Sequence, residues 1–360
     1  MGMAMGTLLR RLAAVAAITP LVVFGLVGTA SARGNGPPPN PLATELVGPL
    51  GIAVTERGDV LVSQAFIGTI SRVGKHGGVT DLVSEEAFTA GVADDGHVLY
   101  TSAGPSGVFL KSVAPDGTTS VLADILHHEI TQNPDAGQQY GFTEISDQCA
   151  DEWPAEFGPP QYTGIIDTNP YAIAATKDHV YIADAAANAI LSVDDGGEVS
   201  TVAVLPPQPA VVNQDAIDGL GLPQCTLGLT YNFEPVPTDV ELHRGQLYVT
   251  TLPGGPEDPS AGARGGVWTV DPGTGAATQI GSGLAGATDL AVSPSGTVYV
   301  TELFGGQVSM VGPACNTLVA SLDAPVAIEW AKGRLYVATG DAAAFPPDPL
   351  AAGKIVTIRP

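Results

Sequence analysis

One phrase recurs six times along the chain, and it constrains the fold more than any other feature. A small-apolar run is followed by a Gly or polar turn and then by an apolar strand that ends in a small or polar residue. The instances are GIAVTERGDVLVSQ (51–64), AGVADDGHVLYTS (90–102), YAIAATKDHVYIAD (171–184), TDVELHRGQLYVTT (238–251), TDLAVSPSGTVYVTE (288–302) and VAIEWAKGRLYVAT (326–339). Further short strands follow each one, as in GTISRV–GVTDLV and AILSVD–EVSTVAV. Turns such as ERGD, PDGT, DDGG and SPSG supply the positive φ angles that close hairpins. Four-strand units at a period near 40 residues mark the blades of a β-propeller. The aligned residues Leu61, Leu99, Tyr181, Tyr248, Tyr299 and Tyr336 are separated by 38, 82, 67, 51 and 37 residues. The base period is therefore 37–38, with three spacings enlarged by insertions. Residues 125–168 contain no hairpin of this kind and read as irregular or partly helical loop, so the expected number of blades is six rather than seven.

The last unit lacks a fourth strand. The unassigned strand-like run LATELV (42–47) resembles the other fourth strands and is expected to close the last blade, because an open sheet edge is a liability. The predicted class is all-β: a six-bladed β-propeller over 42–360 with the N-terminal strand closing the ring. Long inserts at 125–168, 207–235, 252–266 and 340–353 fall where up-and-down topology puts all of them on one face, the usual place for binding or chemistry. Cys149 and Cys225 lie in the two inserts that flank the third blade and are expected to form a disulfide, leaving Cys315 in a turn on the far face.

Residues 1–32 read as a secretory signal peptide: Arg10 and Arg11, an apolar core from Leu12 to Val27, and the cleavage sequence Ala30-Ser31-Ala32. A Gly/Pro linker spans 33–41. The expected product is exported, secreted to the extracellular space or cell envelope, with no stable membrane insertion after cleavage. Asp+Glu number 37 against 14 Lys+Arg, a formal charge of −23, which argues against nucleic acid as a partner.

Catalytic motifs are sparse. There is no G-x-S-x-G, and no glycine-rich phosphate loop precedes a helix. His127-His128-Glu129 lacks the H-E-x-x-H spacing and is expected to sit exposed in the first insert. Asp194-Asp195 reads as a hairpin turn. The candidate ligand-binding residues lie where the ring narrows. Asp239 and Asp289 begin innermost strands, each in a Thr-Asp pair; Asp184 and Glu302 end second strands; Asn169 and Tyr171 lead into the third blade. Converging carboxylates of this kind either bind a hard cation such as Ca²⁺ or act as a base, or they cap backbone N–H groups.

The run NPYAIAATKDHVYIADAAANAILSVDDGGEVSTVAVLPP, the segment VPTDVELHRGQLYVTTLPG and the insert piece ADILHHEITQNPDAG resemble the ScyD/ScyE family, named for a scytonemin biosynthesis cluster. The resemblance runs over nearly all of 42–360 and is most specific at Asn169-Pro170-Tyr171, at Ala183-Asp184-Ala185 with Asn188, and at Pro237-Thr238. It implies an exported bacterial six-bladed propeller without a defined molecular activity. The chain departs from that family at TTLPGG. More widely the chain resembles the SMP-30/gluconolactonase-like and NHL-like propellers. The metal-dependent lactonases of that group use a first-blade Glu and Asn and Asp at the starts of inner strands. Here those positions are Val47-Gly48-Pro49 and Leu50, Tyr171, Thr238, Thr288 and Val326, so that metal set is absent. No His stands at an inner-strand start, as a streptogramin-lyase-like activity requires. The resulting expectation is a secreted binding or scaffold module whose loop-rich face takes a protein, glycan or small molecule. The alternative is a divalent-cation-dependent hydrolase or lyase, lactonase-like, with its site at the ring axis.

Overall fold

The computed structural model describes residues 41–255, 262–340 and 352–360. The expected signal peptide, nearly all of the expected linker, and parts of the inserts 252–266 and 340–353 lie outside the described residues. Among the described residues the strands form seven four-stranded antiparallel sheets. Six are blades of a β-propeller. Their inner strands are Pro49–Val54, Val92–Asp94, Pro170–Ala175, Pro237–His243, Ala287–Val292 and Pro325–Ala331. In the first five blades the strand order follows the chain, so each is an up-and-down meander.

Blade 6 is assembled from both ends of the propeller. Its three C-terminal strands are joined by the N-terminal strand Pro41–Val47, which pairs antiparallel with Ala352–Ile358. Ala43 lies opposite Ile355 and Leu46 opposite Gly353. Leu46 is fully buried and Ala43 nearly so. Both pack with Ile52, Val60 and Val62 of blade 1 and with Val326, Ala338 and Ile355 of blade 6. The closing strand thus seals an edge and glues the first blade to the last.

Alternation along the inner strands sets the core. Ile52, Val92, Ile173, Val240, Leu290 and Ile328 occupy equivalent positions and are all buried between blades. The residues immediately before and after each of them lie on the opposite face of the strand; Ala53, Ala93, Ala291 and Ala327 pack there against the next blade, while others reach the ring axis.

The seventh sheet is no blade. Gln139–Phe142 and Gln161–Thr163 come from the first insert, and Gln208–Val211 and Thr230–Phe233 from the second. The two inserts pair across Gly141–Asn232 and Phe142–Tyr231. Behind this pairing Phe142, Val212, Ala216 and Ile217 form a small core with Trp153 and Tyr231. Phe142 meets Trp153 edge-on at 5.0 Å. The Cys149–Cys225 disulfide joins the inserts at a Cα–Cα distance of 5.9 Å, as expected. Cys315 is free and exposed. The region read as irregular or partly helical therefore carries strands as well as the helices Ile125–Gln132 and Asp147–Asp151. Its strands of three or four residues pair with distant partners, so no local hairpin announces them. His128 and Glu129, expected to be exposed, are buried, and only His127 faces solvent. The helix packs that face onto blade 3, where His128 Nε2 hydrogen-bonds Thr201 Oγ1 at 2.9 Å.

The seam between the ends of the chain generates a test. Leu46→Ala removes a fully buried side chain and should cost about 2–5 kcal/mol, seen as a fall in Tm of about 5–10 °C. Leu318, on the outer strand of blade 5, is 40% exposed, and Leu318→Ala should change stability by about 0.5 kcal/mol or less. Thermal melts of the two variants followed by circular dichroism compare them; equal shifts would contradict a closing role for Leu46.

Candidate functional site

The inner strands enclose an axial channel of about 200 Å³. Its wall is asymmetric. On blades 1–3 it is lined by Gly51, Ala53, Gly91, Ala93, Ala172 and Ala174, by larger apolar side chains such as Leu50, Val54 and Ile173, and by Asp94. On blades 4–6 the equivalent positions bring in Asp239 and Glu241, Asp289, and Glu329. One half of the channel is mostly apolar, with Asp94 as its carboxylate; the other half carries four carboxylates. Tyr171 also lines it.

Asp239 and Asp289 hydrogen-bond each other. Each also holds the next blade. Leu290 N donates to Asp239 Oδ2 at 3.0 Å, and the Ile328 amide donates to Asp289. The pair therefore caps backbone N–H groups and faces the channel at once. Burial lifts the Asp239 carboxyl to about 6. Burial, and then the negative charge of Asp239, push Asp289 well above the ordinary aspartate range. Glu241 is pushed up by burial and then by Glu329. Burial and the charge of Asp239 lift Glu329 to about 8. Two carboxyls in hydrogen-bond contact cannot both ionise cheaply, so the pair holds a proton near neutral pH.

The other candidate residues are placed elsewhere. Asp184 is fully buried at the end of the second strand of blade 3. Its Oδ1 accepts from Asn169 N at 2.7 Å and Ala187 N at 3.2 Å, and its Oδ2 accepts from Thr168 Oγ1. Glu302 does the same in blade 5, accepting from Ala285 N at 2.7 Å and Gln307 Nε2 at 2.8 Å. Gln64 repeats the device in blade 1 by accepting from Val47 N at 2.9 Å. These side chains fix the segments leading into inner strands. Asn169 belongs to the junction between blade 3 and the first insert. Of the six candidates, the channel gathers Asp239, Asp289 and Tyr171.

Glu241 and Glu329 are the site residues that motif reading passed over. The available signal was alternation: Glu241 stands two residues beyond Asp239 on one strand, and Glu329 is its counterpart on blade 6.

Among the described residues no group of three or more His, Cys, Asp or Glu side chains is placed to hold a metal ion. At the axis Asp239 and Asp289 turn toward each other and toward backbone amides, so the channel does not fit a lactonase-type metal centre.

Similarity to solved structures is remote. A gluconolactonase from Xanthomonas campestris superposes with a TM-score of 0.54 at 12% identity, over 88% of this chain and 89% of that one. The PQQ-bound aldose sugar dehydrogenase from Streptomyces coelicolor gives a TM-score of 0.51 at 14% identity, over 88% and 96%. A virginiamycin B lyase from Staphylococcus aureus gives 0.46 at 14% identity, over 82% and 80%. No protein-family model matches the chain, and no curated protein matches it in sequence. At these identities the likeness shows the β-propeller fold alone.

The raised carboxyls make stability depend on pH. Between the ordinary glutamate value of 4.5 and about 8, folded Glu329 keeps a proton that the unfolded chain has released. The folded state binds more protons there, so stability falls as pH rises through that window. Glu329→Gln cannot titrate. Its Tm should decline less steeply than that of the wild type from about pH 5 to pH 8.5; parallel curves would refute the burial of a protonated Glu329.

Proposed function

We propose that the axial channel is a small-molecule site that takes a ligand carrying a positively charged group, such as an ammonium or guanidinium. The observation that carries this reading is the gathering of Asp239, Glu241, Asp289 and Glu329 on one side of the channel, opposite a mostly apolar wall in which Asp94 is the one carboxylate among the described residues. An ammonium or guanidinium offers N–H donors and positive charge, which complement clustered carboxylates. The mostly apolar wall accommodates the rest of the ligand. The Asp239–Asp289 pair offers a carboxyl donor beside a carboxylate acceptor, so metal-free hydrolase or lyase chemistry at the axis belongs to the same reading.

A second reading is a binding or scaffold role for the insert-built rim. It is favoured by exposed apolar side chains there: Phe157, Ile165, Ile166, Val211 and Leu227. We infer in addition that the protein is exported and functions in the extracellular space or cell envelope. The leader-like residues 1–32 and the resemblance to the ScyD/ScyE family support this. The Cys149–Cys225 disulfide fits an oxidising compartment. Among the described residues no helix is long and apolar enough to cross a membrane.

A thermal-shift panel separates the readings. Agmatine and spermidine should raise Tm at about pH 8 more than at pH 5, because ligand charge competes with carboxyl protons. Asp289→Asn combined with Glu241→Gln should abolish that shift. Stabilisation by neutral sugars or lactones instead, unaffected by the two substitutions, would move the function away from the acidic wall.

A further inference from the structure

A second acidic cluster, apart from the axial channel, is buried where the first insert meets blade 3. The helix Ile125–Gln132 ends at Asn133, which adopts a left-handed conformation, and the chain turns through Pro134 to Asp135. Glu129 and Asn133 are four residues apart, on one face of the helix end. Glu129 is 1% exposed and Asp135 2%.

One oxygen of each carboxylate is satisfied. Glu129 Oε1 accepts from Asp167 N at 3.2 Å. Asp135 Oδ2 accepts from Tyr140 Oη at 3.1 Å and from Asn188 Nδ2 at 2.9 Å. The remaining oxygens, Glu129 Oε2 and Asp135 Oδ1, are buried without a hydrogen-bond partner. The side-chain oxygens of Asn133 and Asn169 are in the same condition. Asn133 and Asp135 share a neighbour. Asn133 Nδ2 donates to Gly164 O at 3.5 Å, and Asp135 Oδ1 lies 1.9 Å from where a Cβ on Gly164 would stand. Asn169 is two residues beyond the amide that Glu129 accepts.

Every orphaned atom in this group is an acceptor. Asp184 and Asp167 add negative charge around Glu129. The ion pairs between described residues, Lys111–Glu85 and His97–Asp95, lie elsewhere. Buried acceptors without donors, made only of carboxylate and amide oxygens, form the donor set of a hard cation. Mg²⁺ retains several waters and demands octahedral geometry, whereas Ca²⁺ accepts irregular sets of protein oxygens. Two carboxylates match a double positive charge.

We propose that this buried cluster binds one Ca²⁺ ion, with Glu129 and Asp135 as carboxylate ligands and Asn133 as an amide-oxygen ligand, beside Asn169. The ion clamps the first insert onto blade 3. Because amide oxygens complete the set, the site does not require three converging carboxylates. Gly164 is part of it, since any side chain there would strike Asp135.

The test uses the EDTA-treated full chain. Native mass spectrometry with added Ca²⁺ should show one bound ion, and Ca²⁺ should raise Tm well above the effect of equal Mg²⁺. Glu129→Gln with Asp135→Asn should weaken Ca²⁺ binding at least about tenfold, while the axial Asp289→Asn should leave it unchanged. Should the double variant fail to fold, Tb³⁺ provides the second readout on the wild-type ligand set. Tyr140 hydrogen-bonds Asp135, so tyrosine excitation should produce Tb³⁺ emission that Ca²⁺ displaces and that Tyr140→Phe weakens. Absence of a bound ion, loss of binding in the axial variant alone, or emission indifferent to Tyr140→Phe would each overturn the proposal.

Discussion

Antiparallel pairing between the first and last described strands is the constraint on which the rest of the molecule depends. Each blade buries one face of its sheet against the blade before it and the other against the blade after it. Closing the ring is therefore the only way to bury both faces of all six. Pro41–Val47 does this by backbone hydrogen bonds to Ala352–Ile358 and by packing Leu46 and Ala43 across the seam. The channel inherits that dependence. Glu329 lies on one side of the seam and Gly51 on the other, so the acidic and mostly apolar walls face each other only in a closed ring.

Within the ring, strand alternation decides which residues are structural and which are presented. The larger aliphatic residues between blades are interchangeable in kind from one repeat to the next. The channel-lining positions are not: Asp239, Glu241, Asp289 and Glu329 concentrate on blades 4–6, while blades 1–3 contribute mostly apolar residues and Asp94, and this breaks the sixfold pattern. Asp239 and Asp289 combine two roles that usually conflict. Their hydrogen bonds to Leu290 N and to the Ile328 amide tie adjacent inner strands, while their mutual contact keeps a proton at the channel surface. Replacing either with Asn preserves an acceptor and removes the charge, which makes amide variants more informative here than alanine variants.

The blades were legible because each repeat writes its own hairpin locally, with turn residues beside alternating apolar ones. The closing strand followed from counting strands, and the disulfide from two cysteines in inserts flanking one blade. Asp239 and Asp289 stood out because a Thr-Asp pair begins two of the inner strands. Glu241 and Glu329 did not, because a Glu in an alternating strand reads as a solvent-facing residue, and a narrow axial channel has the same alternation as open solvent. The insert sheet was invisible for a different reason. Its pairing of Gly141 with Asn232 joins residues about 90 apart in sequence, and short polar strands at that separation carry no local pattern. The burial of Glu129 was hidden likewise, since a helix of eight residues shows too little periodicity to reveal which face packs.

The two acidic sites differ in how their oxygens are satisfied, and that difference assigns them different ligands. At the axis the carboxyls bond each other and backbone amides, share protons, and open onto a channel. A ligand there competes with protons and with water and can exchange. At the junction of insert and blade, Glu129 and Asp135 are closed off, with one oxygen of each unmatched by any donor. Protonating Glu129, whose carboxyl burial lifts to about 8, satisfies charge but still leaves the amide oxygens of Asn133 and Asn169 without donors. A resident cation meets all of these acceptors at once and holds the insert, and with it the disulfide-linked second insert, against the blade. On these grounds the axial channel is the place for a changing ligand and the junction the place for a permanent one.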